Sequence, residues 1–426
     1  MPEQLRYTPY FRLRSVFIYE VTALGYFLFI FFIIANFPCH ASSELVWPST
    51  GELKASAQRF ESLSAMLKGF VEREETPSIM LLLAKDGKVV FWEAYGLADA
   101  TAGKPMQKDS ICFLASSTKP VSATCLMMLV EEGKLKLDDP VSRFLPAFAQ
   151  IKLKDSGQHA SCPTIRQLLS HTSGMAGLLE MTPTAQRGVR EMGLTLREST
   201  DIIAKEELLA PPGTRFSYGG LSFNVAGRVL EVVSGQPFDQ FMQQRLLDPL
   251  GMRDTNFKPT AAQGERVAGI SKPAPWGGQM QLFAFDIQRD SLNKKMILVG
   301  GGLYSSARDL AVFLQMHLNG GVYGGKRYLS RTAVNEMQKD QLGCAAVAFH
   351  PVPESRDYGL GWARDRFGRD NETLSVSHAG MFGTIQWIDN DRNLIGVLFA
   401  PMPLKFAHPI HRLVRARALA LMPKEN

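Results

Sequence analysis

The sequence predicts an α+β fold, an α/β sandwich in which one antiparallel sheet is formed by the N- and C-terminal segments, flanked by helices, with a mostly helical region inserted. Three observations predict it. The apolar runs 78–84 and 88–95 flank Asp86-Gly87, a two-residue hairpin signal. A second pair, 383–388 and 394–400 around Asp389-Asn390-Asp391-Arg392, closes the chain ahead of a helical stretch at 406–422. The intervening sequence carries helical periodicity with Gly and Pro punctuation, not the strand–helix alternation of a βαβ protein.

In chain order, residues 1–41 read as a signal peptide or membrane anchor. Arg6, Arg12 and Arg14 precede the apolar run 23–35, which is followed by Asn36, Pro38 and the small residues Ala41 and Ser42. That run is shorter than the ~20 residues a membrane span needs. Cleavage near Ala41 and export to the periplasm or the exterior is therefore the expectation, with an uncleaved anchor counted from Ser15 as the alternative. Asn-Phe-Pro ahead of Cys39 lacks the small residues that precede a lipidated cysteine.

Residues 42–426 then form one domain whose helical insertion spans positions 120–300. A charged helix is expected at 53–71, ahead of the first hairpin. Helices follow at 121–132, ending at Gly133; at 164–169, after Pro163; at 223–233, ending at Ser234-Gly235; and at 307–318, ending at Gly320-Gly321. The segment Gly320–Lys326 has phosphate-loop spacing, but Arg327 stands where Ser or Thr must meet Mg²⁺, so it reads as a turn.

Composition is that of an ordinary globular protein, 45% apolar and 21% charged over 426 residues. The net charge of +6 favours anionic surfaces, while the absence of a basic block interleaved with aromatics excludes nucleic acid as a partner. Beyond Cys39, Cys112, Cys125, Cys162 and Cys344 show no metal-ligand spacing and no histidine cluster, so no metal is expected. They read as buried thiols, and sequence assigns no disulfide pairing.

The chemistry concentrates in Ser116-Ser117-Thr118-Lys119-Pro120, which heads a Leu/Met-rich helical stretch. Residues three apart share a helix face, so Lys119 lies beside the Ser116 hydroxyl, a weak nucleophile that needs such a base. The helix N-terminus adds positive potential, and Pro120 is tolerated in a first turn. A second Ser-x-x-Lys, Ser291 to Lys294, lies in a polar stretch and reads as a solvated loop. Tyr218 sits on the Pro/Gly-rich loop Pro212–Gly220 just before a helix, where a phenol can be held rigidly against a cleft. His378 ends a short strand two residues before Gly380, the only His-x-Gly among eight histidines, and the glycine is expected to let substrate approach the backbone. No Gly-x-Ser-x-Gly occurs, which argues against an α/β-hydrolase elbow.

Together these motifs resemble the serine β-lactamase and penicillin-recognising enzyme family, in its class C-like branch of esterases, D-aminopeptidases and DD-peptidases. The resemblance runs from about Leu53 to Leu421 and includes Leu129–Pro140, Thr164–Gly174, Gly300–Ser306 and Tyr358-Gly-Leu-Gly-Trp362. It implies Ser116 as acylated nucleophile, Lys119 as proton acceptor, Tyr218 as general acid/base, and His378 in the third element. The backbone N–H groups of Ser116 and Met381, beside Gly380, become the oxyanion hole, and no cofactor is implied. His171 and Arg166 are expected to cap and tether the insertion.

One departure bears on substrate. The family's Tyr-x-Asn element has Gly220 in place of asparagine, removing an amide expected to hold an acylamide group, and Asn224 is too far along to replace it. With His378 in place of lysine, a weaker carboxylate anchor near pH 7, this favours an exported esterase or amide hydrolase acting on a small-molecule ester, amide or peptide. The alternatives are a DD-peptidase or penicillin-binding enzyme taking cell-wall peptide, a β-lactamase, and a catalytically silent binding protein.

Overall fold

The structure, a computed structural model, describes residues 44–49, 51–52, 59–272, 281–282, 295–349, 357–368 and 372–424. The N-terminal segment with Cys39, the start of the 53–71 helix and the Ser291–Lys294 motif lie outside these residues. Helix α1 (Glu61–Glu72) leads into β1 (Ser78–Lys85), β2 (Lys88–Asp99), β3 (Lys104–Pro105) and β4 (Ile111–Phe113). A 3₁₀ turn (Ala115–Thr118) precedes helix α2 (Lys119–Glu131). The insertion continues with α3 (Ile165–Leu169), α4 (Pro183–Arg190), α5 (Leu196–Ile203), β5 (Arg215–Ser217) and α6 (Leu221–Ser234). The chain returns through β6 (Tyr304–Ser306), α7 (Ala307–Leu318), α8 (Arg331–Gln338), β7 (Ala346–Phe349) and β8 (Asp357–Tyr358). Strands β9 (Ala363–Phe367), β10 (Thr373–Gly380), β11 (Thr384–Asp389) and β12 (Leu394–Phe399) precede the terminal helix α9 (Leu404–Leu421).

The eight-stranded sheet has the order β8-β9-β10-β11-β12-β1-β2-β3. Its first strand pairs with its last, Met80 opposite Phe399, so the two ends of the chain meet in mid-sheet as the pattern predicts. The first hairpin turns on Asp86 (φ 52°) and Gly87 (φ 75°), the two left-handed residues of a type I′ turn.

Why β1 reads as an unbroken apolar run is clear from its neighbours, since both of its faces are covered. Ile79, Leu81 and Leu83 pack with Leu63, Leu67 and Phe70 of α1 and Ile410, Val414 and Ala418 of α9. Those spacings are one helical stripe each. Met80 and Leu82 face the opposite way, into the core shared with α2, α6 and α7. Helix α2 is buried along its whole length from Lys119 to Leu129, which is why its sequence lacks a polar stripe.

Boundaries shift by a few residues. The predicted 121–132 helix starts at Lys119, and Ser116 itself lies in the 3₁₀ turn before it. The Gly320–Lys326 segment is part of a tight hairpin, Val322–Tyr323 against Lys326–Arg327. Among the described residues the four cysteines are free; Cys112 and Cys125 are buried, Cys162 partly so, and Cys344 is exposed, unlike the expectation of buried thiols throughout.

Gly396 lies opposite Trp387, whose indole occupies the space where a Cβ would stand, 2.0 Å from the ring. Gly396→Ala should cost about 1–3 kcal/mol by overpacking, read as a lower urea midpoint. Trp387→Phe in the same chain should recover part of it, since neighbours do not add; strictly additive losses would sink the argument.

Candidate active site

The turn carrying Ser116 is held in an unusual backbone. Ala115 has φ 46°, a left-handed conformation that a residue with a Cβ adopts at a cost. Polar clamps hold it. Thr384 donates to the Leu114 carbonyl (2.9 Å) and lies 3.2 Å from Ser117 Oγ, which donates to the His378 carbonyl (3.0 Å). Gln386 Nε2 donates to the Ser117 carbonyl at 2.7 Å, and the Leu303 N–H donates to Thr118 Oγ1 at 3.1 Å. The outcome is a turn in which Ala115, Ser117 and Thr118 are buried while Ser116 is left partly open.

Lys119 Nζ lies 3.1 Å from Ser116 Oγ and donates to the Gly300 carbonyl at 2.8 Å. It is 2% exposed, and among the described residues no carboxylate pairs with it. Its ammonium stands 4.7 Å from the Tyr218 ring centroid and 5.4 Å from that of Phe223. Those faces favour the cation modestly, but desolvation dominates and pushes its pKa down to about 7. As a neutral amine it can give one N–H to Gly300 and still present its lone pair to the Ser116 proton. Burial moves the Tyr218 phenol the other way, above its ordinary pKa, opposed by a hydrogen bond with Ser116. Near neutral pH the site thus sets an amine lone pair and a protonated phenol at one hydroxyl, a base and an acid separated by opposite effects of the same burial.

Tyr218 leaves β5 and is held from behind. His171, itself at φ 58°, packs its ring 4.5 Å from that of Tyr218 and 5.2 Å from that of Tyr358. Arg166 ties the insertion down through Asp138, Glu336 and Gln341, as its tethering role requires.

His378 and Gly380 are brought to the site, but for reasons other than those expected. The His378 ring is 1% exposed; Nδ1 lies 3.0 Å from the Ala379 carbonyl and Nε2 lies 2.9 Å from Tyr358 Oη. A carbonyl only accepts, so Nδ1 carries a proton, while Nε2 shares a hydrogen bond with the Tyr358 hydroxyl. The ring thus sits behind Tyr218, 6.1 Å between centroids, with both nitrogens bound to protein groups. A Cβ at Gly380 would stand 2.0 Å from the Leu114 carbonyl and 2.3 Å from Thr384 Oγ1. Glycine there lets β10 close on the nucleophile turn, a contact within the protein, not the substrate approach anticipated from sequence. Met381, next along, is 55% exposed.

At Gly220 a Cβ would meet only a Val189 methyl, 3.7 Å away, while Asn224 is turned into the α5 packing, where Nδ2 donates to Ser199 Oγ at 3.2 Å. Sequence reasoning missed Ser117, Thr384, Gln386, Tyr358 and the Gly300 carbonyl as site-builders. A signal existed for two: Thr384 and Gln386 are polar at alternate positions of a strand whose other residues, apart from the terminal Asp389, are apolar.

The arrangement defines a class, a serine hydrolase on a mixed sheet-and-helix scaffold. A family model described as Beta-lactamase matches residues 63–409, so the chain belongs to the beta-lactamase family. Among curated relatives, Esterase EstB of Burkholderia gladioli is 29% identical over 347 residues, 76% of this chain and 83% of that protein. A D-alanyl-D-alanine carboxypeptidase-like protein of Escherichia coli K12 is 26% identical over 358 residues, 77% and 79% of the two chains. Among solved structures, EstCE1, a hydrolase with promiscuous acyltransferase activity, matches in fold with a TM-score of 0.71 at 24% identity, over 85% of this chain and 99% of that one. An octameric penicillin-binding protein homologue from Pyrococcus abyssi gives a TM-score of 0.64 at 25% identity, over 84% and 77%.

The rate of fluorophosphonate labelling at Ser116 should rise with pH through a midpoint near 7 as Lys119 loses its proton, then hold level. Lys119→Met should lose that limb and slow labelling by about 10²–10⁴-fold; an unchanged profile would exclude Lys119 as base. The same burial has a stability consequence. With the lysine pKa at about 7 folded and 10.5 unfolded, the unfolded chain binds the extra proton, so stability falls as pH drops through that window. Urea titrations should find Lys119→Met more stable than the parent below pH 7 and the gap closing toward pH 10.

Proposed function

We propose that the protein is an exported serine hydrolase that cleaves carboxylic esters, and more slowly amides, through an acyl-enzyme on Ser116. The observation that carries this reading is the buried Lys119 amine, with no carboxylate beside it among the described residues, 3.1 Å from Ser116 Oγ. In the acylation step Lys119 takes the hydroxyl proton as Oγ attacks the carbonyl carbon. The backbone N–H groups of Ser116 and Met381 receive the oxyanion. Tyr218 protonates the departing alkoxide or amine and is reprotonated from Lys119. Water, deprotonated by the same pair, then attacks the acyl carbon and releases the acid with Ser116 restored. Likeness to an esterase supports the ester preference, and the basic, apolar N-terminal sequence supports export.

The second reading, a DD-peptidase acting on cell-wall peptide, is favoured by the carboxypeptidase-like relative. Against it stand the buried His378, whose two ring nitrogens are both engaged within the protein and so turned away from a substrate carboxylate, and Gly220, which offers no side-chain amide.

The test is intact-protein mass spectrometry of the full chain with a fluorophosphonate, p-nitrophenyl acetate and a penicillin, with Ser116→Ala as control. Labelling at Ser116 with ester turnover and no lasting penicilloyl adduct is the expected result, abolished in Ser116→Ala. A persistent penicilloyl adduct favours the peptidase, and retained hydrolysis in Ser116→Ala sinks the nucleophile assignment.

A further inference from the structure

Large apolar side chains left exposed on a soluble surface are informative when they gather. Among the described residues, Val46, Leu97 and Val232 lie singly on separate elements, while Leu178, Leu179, Val347, Met381 and Phe406 lie on segments bonded to those that carry Tyr218 and Met381. The connections are short. The Leu178 N–H donates to the Tyr218 carbonyl at 2.7 Å, and Leu179, 75% exposed, follows it. Val347 pairs with Phe216, two residues before Tyr218. The Leu404 N–H donates to the Met381 carbonyl at 2.8 Å, and Phe406 follows two residues on.

Polar groups at this mouth are largely spent on one another. Glu180 pairs with Arg215 and accepts from Ser217 Oγ and the Gly177 N–H. Lys405 lies over the Phe406 ring at 4.7 Å. Beside Tyr218, the space at Gly220 is bounded by the Val189 methyl, so the absent side chain leaves room against an apolar wall. A peptide would find few free hydrogen-bonding partners here; a hydrocarbon chain would find several surfaces to leave water against.

We infer that the preferred substrates are esters of lipophilic acids, with an apolar acyl chain of medium length or longer lying on the rim formed by Leu178, Leu179, Val347 and Phe406. This deepens the serine-hydrolase reading and rests on it. Each methylene withdrawn from water contributes roughly fourfold to kcat/KM, so the preference accumulates along the chain until the rim is covered.

The experiment uses the full chain, p-nitrophenyl acetate, butyrate and octanoate, and ethyl and dodecyl fluorophosphonates. Octanoate should exceed acetate in kcat/KM by at least tenfold, and the dodecyl probe should label Ser116 faster than the ethyl one. Leu179→Ser and Phe406→Ser should each lower octanoate kcat/KM by roughly five- to tenfold and leave acetate unchanged; Val232→Ser, away from the mouth, should alter neither. Acetate preferred over octanoate, or equal losses on both esters in the rim variants, overturns the inference while Ser116 labelling upholds the chemistry. Absence of both labelling and ester turnover overturns the serine-hydrolase reading itself.

Discussion

A lysine kept dry without a counter-ion is the constraint around which the site is arranged. A carboxylate beside Lys119 would hold it protonated and deprive Ser116 of a base; open water would do the same. The protein instead surrounds the amine with the Tyr218 and Phe223 rings and a single carbonyl, that of Gly300. That solution explains why α2 is apolar around its whole circumference and why it runs through the middle of the molecule rather than along its surface. It also accounts for Gly300, where a Cβ would stand 2.9 Å from Phe223 and 3.4 Å from the lysine chain. The site thus forgoes some stability for a usable lone pair.

The second requirement is a serine presented at a fixed angle, and here the sheet does what the helix alone cannot. A left-handed Ala115 persists only when its surroundings over-determine it. Those surroundings come from residues more than 250 positions away: Thr384, Gln386 and the His378 carbonyl. Because β10 and β11 belong to the C-terminal half of the sheet, closing the sheet and cocking the nucleophile turn are one event. Gly380 is the steric condition for it.

How much of this the sequence disclosed follows from the range of each interaction. Hairpins and helix ends depend on near neighbours or on periodicity, so they were legible to within a few residues. Ser116 and Lys119 were legible for the same reason, being one turn apart. Tyr218 and His378 were found through motifs, which place residues but not their partners. That His378 would be buried and bound to Tyr358, or that Gly380 would make room for the Leu114 carbonyl, depends on contacts spanning 20 and more than 250 positions. No local pattern carries that information, and the strand polarity of Thr384 and Gln386 was its only trace.

The buried ring stack behind Tyr218 bears on what kind of carbonyl compound the site accommodates. His171, Tyr358 and His378 surround the phenol with buried rings, and burial raises the pKa of Tyr358 as well as that of Tyr218. A phenolate is therefore disfavoured at rest, and proton traffic is left to the lysine. A substrate bringing its own carboxylate into such surroundings would lose hydration and gain little, since His378 has both nitrogens committed. An uncharged ester meets no such penalty. On the proposed reading, the low-polarity enclosure that lowers the Lys119 pKa would also disfavour an anionic substrate end, giving base and specificity one physical origin.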